Sequence, residues 1–380
     1  MTITYLKGFT KKKDSFMSSV AAVDGGARTL WTIPLSLRDF PETPDRVIRA
    51  LTVAKRQPKR ALGRALKRVL LRLQYNGSRR YFMRHSDTIA MCWNGVTGSR
   101  RLFMEGARDA GVPTLYAELA PFPGRMQLDH AGVNALGSVP RDPGFYAAWA
   151  AGREDRQGEV WRALGDTLTA RVSRRSDVGQ KSGADLAQED FIFVPLQVPN
   201  DSQITLFSGW VRSVENMIDM LALAAPSLPE GWHIRIKEHP SAKISLADAL
   251  HRAIEISGHR IRIDNDTDTF DQVRASRAVL TINSSVGLQA FFYDKPVITL
   301  GEAFFAIPGL VRAVDGIEVL QEALSGAESL GFDPALRAAF MNYLDEVHFP
   351  KVSNGEDGGV TVDETAAKAC IQAARKARSH

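Results

Sequence analysis

Three apolar stretches between residues 191 and 283 end in small, polar or ionisable residues, and this pattern most restricts the fold. Continuous apolar runs of this length are typical of strands buried on both faces of a parallel sheet. The carboxyl ends of such strands form the ligand crevice of an open sheet, which predicts polar groups gathered there around a phosphorylated ligand. The stretches are FIFVPLQV, before Pro199-Asn200-Asp201-Ser202; WHIRIKE, before His239-Pro240; and AVLTIN, before Ser284-Ser285-Val286-Gly287.

Strand and helix patterns alternate throughout this part of the chain, which is typical of a doubly wound domain. Five strands are separated by four helical patterns. The predicted strands cover 191–198, 232–238, 261–263, 278–283 and 296–300, and the predicted helices lie near 210–224, 244–256, 269–276 and 285–293.

The first half of the chain has a second β-α-β pattern, which predicts another parallel sheet. LWTIPL (30–35), TIAMCW (88–93) and PTLYAEL (113–119) have strand patterns, and SRRLFMEGARDAG has a helical pattern that stops at Gly111. The polar run SRRSDVGQKSGADLAQED has the composition of an interdomain linker.

We therefore predict an α/β, GT-B-like fold with two Rossmann-like, doubly wound domains facing across a cleft, since 380 residues exceed one ordinary core. The predicted domains are an acceptor-side domain, 1–185, and a nucleotide-sugar domain, 190–330. Residues 331–380, with helices near 333–346 and 362–377, are expected to pack back on the first domain.

Composition limits the cellular setting. Only two cysteines occur, which argues against a disulfide framework, and no Cys/His spacing predicts a zinc site. The N-terminus lacks the order of a signal peptide, and no apolar run is long enough to span a bilayer. We expect a cytoplasmic protein.

Much of the net charge of +5 lies in the segment 55–84. Apolar side chains recur there at helical spacing with cations between them, so the segment could lie on an anionic membrane surface. A core-packed helix with a solvated basic face explains the pattern equally well. Nucleic acid binding is less favoured because few aromatic residues accompany the cations. The apolar positions are Leu62, Leu66, Val69 and Leu73, and the cations between them are Arg64, Lys67, Arg68 and Arg72.

Two strand ends have residues that suit an anion. Ser284 and Ser285 stand at a predicted helix start, where N–H groups and the helix dipole attract phosphate. Capping by one serine is the alternative. His239 could donate to a phosphate or leaving group and Lys237 could supply charge, or His239 could be satisfied within its turn.

Carboxylates mark two further strand ends. Asp201 could attack an anomeric carbon or deprotonate an acceptor hydroxyl, although an N-cap or Asx-turn role is also typical of Asp. Glu118 begins a loop with Arg125 and Asn134 that could cover a cleft or lie solvated at the surface. The acidic run 264–268 fails the calcium-loop pattern, and we interpret it as a turn that starts a helix.

Together, PLQVPNDSQI, IKEHP, TINSSVGLQA and DKPVITLGEAFF resemble the capsule polysaccharide synthesis family. AELAPFPGRMQLDHAGVNALGSVPRD extends the resemblance to roughly residues 88–305. The resemblance implies a β-Kdo transferase that uses CMP-β-Kdo, closest to enzymes that place the first Kdo on lysophosphatidylglycerol.

The resemblance also implies roles. Asp201 would be the nucleophile of a retaining double displacement, Glu118 a supporting acid or base, and His239 a group at the leaving phosphate. Gln289 stands where the family often has Glu, and an amide holds ribose hydroxyls more weakly than a carboxylate does. Further positions predicted to bind nucleotide or substrate are Lys237, Pro240, Ser284, Ser285, Gly287, Gln197, Ser202, Arg125 and Asn134.

The donor would need no metal or other cofactor, since one phosphate leaves with the nucleotide. Arg125, Arg141 or Lys237 could meet the Kdo carboxylate. The expected partners are a CMP-sugar, a lipid or glycan acceptor, and the anionic inner membrane through segment 55–84, with no nucleic acid. Two alternatives stay open: an inverting CMP-sialic-acid-type transferase, and a non-enzymatic glycan-binding or assembly protein.

Overall fold

A computed structural model describes residues 2–54, 57–182 and 186–377 of the chain. The chain forms two compact units. Unit 1 comprises Met1–Val139 and Leu344–His380, and unit 2 comprises Pro140–Tyr343. The boundary thus lies near residue 140 rather than at the polar run before residue 190, because that run is bonded into unit 2, as shown below.

Unit 1 begins with a five-stranded sheet of order β2-β1-β3-β4-β5, in which only β5 is antiparallel. Its strands are β1 (Thr2–Leu6), β2 (Ala27–Leu30), β3 (Thr88–Trp93), β4 (Thr114–Leu119) and β5 (Met126–Asp129). Its first helices are α1 (Lys11–Val23), α2 (Thr43–Thr52), α3 (Ala61–Arg84) and α4 (Gly98–Asp109). A 3-10 turn covers Asn134–Leu136.

The centre of this sheet follows from apolar strand sequences. Every residue of β3 is buried, and β1 pairs with it from Thr2↔Thr88 to Tyr5↔Met91. The Thr4 and Thr88 hydroxyls, both buried, bond each other at 2.9 Å. The predicted strand at 30–35 is wrong, because β2 lies at Ala27–Leu30 and the chain bends after it. The predicted strands at 88–93 and 113–119 and the helix ending before Gly111 are confirmed.

Helix α3 is buried only over its later turns, where it packs on α4. Gly106 of α4 makes this crossing possible, because a Cβ there would lie 2.7 Å from Ser78 Cβ. The packed face of α3 consists of Leu71, Tyr75, Asn76, Gly77, Ser78 and Phe82.

Unit 2 has a six-stranded parallel sheet of order β11-β10-β9-β6-β7-β8. In chain order its helices are α5 (Pro143–Ala150), α6 (Glu154–Gln157), α7 (Ser202–Phe207), α8 (Val214–Ala224), α9 (Ala247–Ile256), α10 (Thr269–Ala275), α11 (Ser285–Gln289), α12 (Ile317–Ser325) and α13 (Pro334–Tyr343). Its strands are β6 (Phe191–Pro195), β7 (His233–Lys237), β8 (Ile261–Ile263), β9 (Ala278–Thr281), β10 (Val297–Thr299) and β11 (Arg312–Ala313).

The three strands that end in polar residues are neighbours in this sheet, in the order β9-β6-β7. Every residue of these three strands is buried. The apolar sequences of β6 and β9 predict this burial, whereas β7 alternates isoleucines with His233, Arg235 and Lys237, which are buried as well. Because all three run parallel, their carboxyl ends meet at one edge. The predicted gathering of polar strand ends is therefore confirmed.

The chain returns to unit 1 after α13, through a π-helical turn at Leu344–His348 and a hairpin of β12 (Val352–Asn354) and β13 (Val360–Val362). Helix α14 (Glu364–Ala377) follows. Its buried residues Ala367, Ile371 and Ala374 join the core beneath β1 and β3. Of the last predicted segment, only the part after Tyr343 thus belongs to unit 1.

Candidate functional site

A pocket of about 200 Å³ lies at the carboxyl edge of the unit 2 sheet. It is formed by the ends of β6 and β7, the first residues of α10 and α11, and a segment that precedes β6. Six predicted residues line it: Lys237, His239, Pro240, Ser284, Ser285 and Gln289. Residues that sequence reasoning missed also line it, namely Thr169, Ala170, Arg171, Gln180, Pro195, Leu196, Glu238, Thr269, Phe270 and Val286.

The segment before β6, residues 168–182, crosses the ends of β7 and β8, and we call it the strap. Arg174 N–H donates to the Pro240 carbonyl at 2.9 Å, and Gly179 N–H donates to the Asn265 carbonyl at 2.8 Å. Gln180 Oε1 accepts from the Thr269 N–H at 2.9 Å. These bonds hold the strap against the strand ends, and Gln180 is the residue of the predicted linker that lines the pocket. Gly183, Ala184 and Asp185, also in that prediction, lie outside the described residues.

Lys237 holds the strap from below. It is almost fully buried, and its ammonium donates to the carbonyls of Gly179, Asn265 and Thr267 at 2.8, 2.7 and 2.7 Å. Burial lowers the pKa of Lys237. An ammonium has three N–H donors, and all three have acceptors, so this geometry favours positioning over the predicted contact with an anionic ligand.

Glu238 fixes the strap from its other side. Its carboxylate accepts from both terminal nitrogens of Arg175, at 2.8 and 3.3 Å, and from the side chain of Asn265 at 3.0 Å. The carboxylates of Asp177 and Glu238 raise the pKa of Arg175 above its usual value. Two residues of the IKEHP sequence therefore serve the strap, which leaves His239 and Pro240 for the pocket.

His239 is a neutral hydrogen-bond donor at physiological pH. Its Nδ1 accepts from the Ser241 N–H at 3.0 Å, so Nε2 carries the ring proton. Burial lowers its pKa to about 4, and the nearby Arg171 cation adds to this effect, whereas the Asp201 carboxylate opposes it. The imidazole thus offers Nε2–H without carrying charge.

Asp201 caps α7, as its alternative interpretation predicted. Oδ1 accepts from the Gln203 N–H at 3.0 Å, and the residue is half-buried. Asp201 and Ser202 are not among the residues that line the pocket. The cap holds one carboxylate oxygen. Asp201 and His239 follow the neighbouring parallel strands β6 and β7, so both residues lie at the same edge of the sheet.

Gln197 and Asn283 join the two strand ends that flank the pocket. Gln197 Nε2 donates to Asn283 Oδ1 at 2.8 Å, and Gln197 Oε1 accepts from the Asn283 N–H at 3.2 Å. Asn283 in turn donates to the Gln203 and Phe207 carbonyls of α7 at 3.0 and 2.9 Å. Gln197 thus has a positioning role, through a partner that sequence reasoning missed.

The two serines at the start of α11 differ: Ser284 caps the helix, and Ser285 is exposed. Ser284 Oγ accepts from the Val286 N–H at 3.2 Å, whereas Ser285 is exposed. The structure gives a packing reason for Gly287, because a Cβ there would lie 3.0 Å from Thr281 Cγ2 and 3.1 Å from Phe305 Cζ. This packing, rather than the predicted approach of a ligand, explains the glycine.

Arg171 is the exposed cation of the pocket wall. It lines the pocket from the strap, and its charge acts on His239. Arg141 is exposed and donates to the Ala303 carbonyl at 3.1 Å within unit 2. Sequence reasoning missed Arg171 because it lies just before the polar run that was interpreted as a linker, and neither was assigned to the site.

The predicted residues of unit 1 form a separate group at β4 and β5. Glu118 accepts from the Asn94 side chain at 2.9 Å. Arg125 forms an ion pair with Asp345 at 2.5 Å, which occupies the cation that was expected to meet a sugar carboxylate. The Asn134 N–H donates to Gln127 Oε1 at 3.2 Å.

The other candidate groups have structural roles. Asp268 caps α10 by accepting from the Phe270 N–H at 2.7 Å, which confirms that the acidic run starts a helix. In the part of the chain that the structure describes, no group of three or more His, Cys, Asp or Glu is placed to hold a metal ion. Burial raises the pKa values of Cys92 and Cys370 to about 12, so neither thiol is activated.

The two parallel-sheet units place the chain in the predicted GT-B-like class of α/β folds. The solved structure of KpsC from Thermosulfurimonas dismutans, a β-Kdo 2,7-transferase, superposes with a TM-score of 0.53. The match covers 98% of this chain and 99% of that one at 14% identity, and it concerns the fold.

Sequence comparisons extend the resemblance beyond the fold. The model of the capsule polysaccharide biosynthesis protein family matches residues 165–332, which confirms the predicted resemblance to this family. FixF of Sinorhizobium fredii is 34% identical over 265 residues, which make up 70% of this chain. LipB of Neisseria meningitidis, a capsule polysaccharide modification protein, is 32% identical over 126 residues. The chain spans 61% of the length of FixF and 30% of that of LipB.

Proposed function

We propose that the protein is a glycosyltransferase of surface-polysaccharide synthesis that transfers Kdo from CMP-β-Kdo to a lipid or glycan acceptor. The observation that carries this proposal is the unit 2 pocket, where neutral His239 and the Arg171 cation meet at the edge that also holds Asp201. Similarity to capsule polysaccharide proteins supports the choice of a sugar substrate, and KpsC, of similar fold, is itself a β-Kdo transferase.

The pocket suits the phosphate of a CMP-sugar. The donor has a single phosphodiester, which can be met by one cation and a few N–H or O–H donors. Arg171, Ser285 and His239 Nε2–H are available at the pocket for this purpose. As CMP departs, negative charge grows on the phosphate, and the same donors would stabilise it. We therefore propose that no metal is required and that transfer persists in EDTA.

Asp201 is the proposed nucleophile of a retaining reaction. Its carboxylate attacks the anomeric carbon, the bond to CMP breaks, and the electron pair leaves with the phosphate. The acceptor hydroxyl then displaces Asp201 from the same carbon and loses its proton to a base, for which we propose Glu118. Because the Gln203 N–H occupies one oxygen of Asp201, the other oxygen would make the attack.

A panel of CMP-sugars tested for binding and turnover, with lysophosphatidylglycerol as acceptor, examines this proposal. Turnover of CMP-β-Kdo above all other donors is the expected result. Asp201→Asn should bind the donor but fail to transfer. Unchanged transfer in that variant would exclude the nucleophilic role, and binding of glycans without turnover of any donor would favour a non-enzymatic glycan-binding or assembly protein.

An inverting transferase of the CMP-sialic-acid type is the second candidate. The cap is compatible with this role too, because the Asp201 oxygen that does not accept from the Gln203 N–H can take a proton from an acceptor hydroxyl instead of attacking carbon. Mass spectrometry of the enzyme quenched during turnover separates the two. A sugar adduct on Asp201 supports retention, whereas an adduct-free enzyme and a product of inverted anomeric configuration support inversion.

We further propose that the protein works at the anionic inner membrane, attached through the basic segment 55–84. Lys55 and Arg56 of this segment lie outside the described residues, and the remainder includes α3. Among the described residues, no helix is both long and apolar enough to cross a membrane.

A further inference from the structure

The first ten residues of α3, Ala61–Leu70, lie at the surface of unit 1. None of these residues is buried, although four of them are large and apolar. The exposed fractions are 72% for Leu62, 62% for Leu66, 52% for Val69 and 45% for Leu70. A core-packed helix would bury such side chains, so the core interpretation of this helix is wrong for its first ten residues.

Neighbouring segments extend this apolar surface. Leu35 and Leu37 are 60% and 86% exposed, and the Ser36 N–H between them donates to the Leu73 carbonyl of α3 at 3.1 Å. Ile48 of α2, 57% exposed, lines an open groove of about 530 Å³ beside α3. We call these residues the apolar surface: Leu35, Leu37, Ile48, Leu62, Leu66, Val69 and Leu70.

The charge around this surface has one sign. From Arg46 to Ser86 the sequence contains thirteen Lys and Arg residues and no Asp or Glu. Arg46, Arg72 and Arg79 pair with carboxylates from other segments. Arg60, Arg64 and Arg68, which alternate with the exposed leucines, make no ion pair with any described residue.

We propose that the apolar surface inserts into the acyl region of an anionic bilayer while the cations of α3 bind lipid phosphates. Apolar residues on one face with unpaired cations beside them are typical of helices that lie in the membrane interface. A continuous anionic surface complements this cationic helix, because its phosphates can meet cations along about 15 Å of helix. This inference rests on the membrane attachment proposed above. It adds that binding requires insertion of apolar side chains as well as attraction between the cations and the lipid phosphates.

The test measures co-sedimentation of the full chain with vesicles of phosphatidylglycerol and phosphatidylcholine, and with phosphatidylcholine alone. We expect binding to the anionic vesicles, part of which persists at 0.5 M NaCl because insertion is not screened by salt. Leu62→Ser with Leu66→Ser should lower the partition coefficient by about tenfold or more at any salt concentration. Arg64→Gln with Arg68→Gln should lower it chiefly at low salt.

Leu223→Ser with Ile256→Ser is the matched control, since these unit 2 side chains are 51% and 53% exposed. It should bind vesicles as the wild type does. Unchanged binding of the Leu62/Leu66 variant, with thermal unfolding also unchanged, would overturn the insertion. Equal binding to uncharged vesicles would overturn the requirement for anionic lipid. A dimer in sedimentation velocity that Leu62→Ser with Leu66→Ser abolishes would show that the apolar surface binds a second copy of the chain instead. Turnover of a CMP-sugar with a water-soluble acceptor is measured separately, so failure of transfer and failure of insertion are distinguishable.

Discussion

Ser241 donates its backbone N–H to Nδ1 of His239 at 3.0 Å, and this bond determines which ring nitrogen can act as a donor. The proton must reside on Nε2, and the pKa of about 4 keeps the ring neutral. His239 in the free protein therefore suits donation of a hydrogen bond to a departing phosphate better than transfer of a proton.

The first prediction concerns donor binding at His239. His239→Ala should weaken binding of a CMP-sugar by about tenfold, the usual value of one hydrogen bond to a charged group, whereas His239→Gln should retain much of the affinity through its amide N–H. Calorimetric titration measures both. In the wild type, affinity should change little between pH 6 and 8, because neither the phosphodiester nor a histidine of pKa about 4 titrates there. An inflection near pH 6.5 that the Gln variant lacks would contradict this assignment.

The second prediction concerns acid stability and His233. This side chain is buried against Phe191, and burial together with Arg262 and Arg235 lowers its pKa to about 4. The unfolded chain binds a proton near pH 6.5 and the folded chain only near pH 4, so stability falls as the pH falls through this window. Between pH 7.5 and 5 the contribution is at most about 2 kcal/mol.

Urea denaturation at the two pH values tests this contribution. His233→Gln cannot take up the proton and should lose less stability on acidification than the wild type. His251→Gln, at an exposed position, is the control and should follow the wild type. Equal losses in all three proteins would show that His233 does not contribute.

The third prediction concerns Lys237 and the strap. Lys237→Met leaves three carbonyls without their donor, and we expect a loss of about 2–4 kcal/mol in the free energy of unfolding, or release of the strap alone. Limited trypsin digestion distinguishes a loss of overall stability from release of the strap alone. Trypsin would cleave a released strap rapidly after Arg171, Arg174 and Arg175. Lys243→Met, at an exposed position, should change neither measurement. Wild-type stability and wild-type resistance to trypsin in Lys237→Met would remove the positioning role.

The fourth prediction separates the two roles of Asp201. Asp201→Ala removes the cap of α7 and should cost about 1 kcal/mol of stability, whereas Asp201→Asn keeps an acceptor for the Gln203 N–H and should stay within a few tenths of the wild type. Thermal unfolding measures the difference. Both variants should lack transfer if the carboxylate reacts. An equally unstable Asn variant would mean that the cap depends on charge rather than on geometry.

Sequence reasoning predicted the buried strands from their apolar residues. It missed the strap, because polar contacts rather than apolar burial hold that segment in place. β6 and β9 were predicted because strands buried on both faces are mostly apolar, and β7 was predicted from its alternating isoleucines although His233, Arg235 and Lys237 are buried with them. Residues 173–182 of the strap were mistaken for a linker because their composition is polar. Their acceptors Pro240 and Asn265 lie 66 and 86 residues after the donors Arg174 and Gly179. Lys237 was predicted to bind the ligand because the sequence around a lysine at a strand end does not show which groups accept its hydrogen bonds. Water, a phosphate and backbone carbonyls are all possible acceptors.

The strap also affects how unit 2 can be transplanted into a relative. A chimera joined at residue 190, where the composition changes, would take the unit 2 sheet from this protein. It would lack Thr169, Arg171 and Gln180, because the other parent would supply the segment before the junction. Lys237 would then be buried beneath a foreign segment. A junction before Leu168 keeps the pocket with the strands that form it, and the matched family sequence begins near the same position, at residue 165. Donor specificity should therefore be inherited with the strap, and exchange of the strap alone between relatives is the smallest exchange that could alter it.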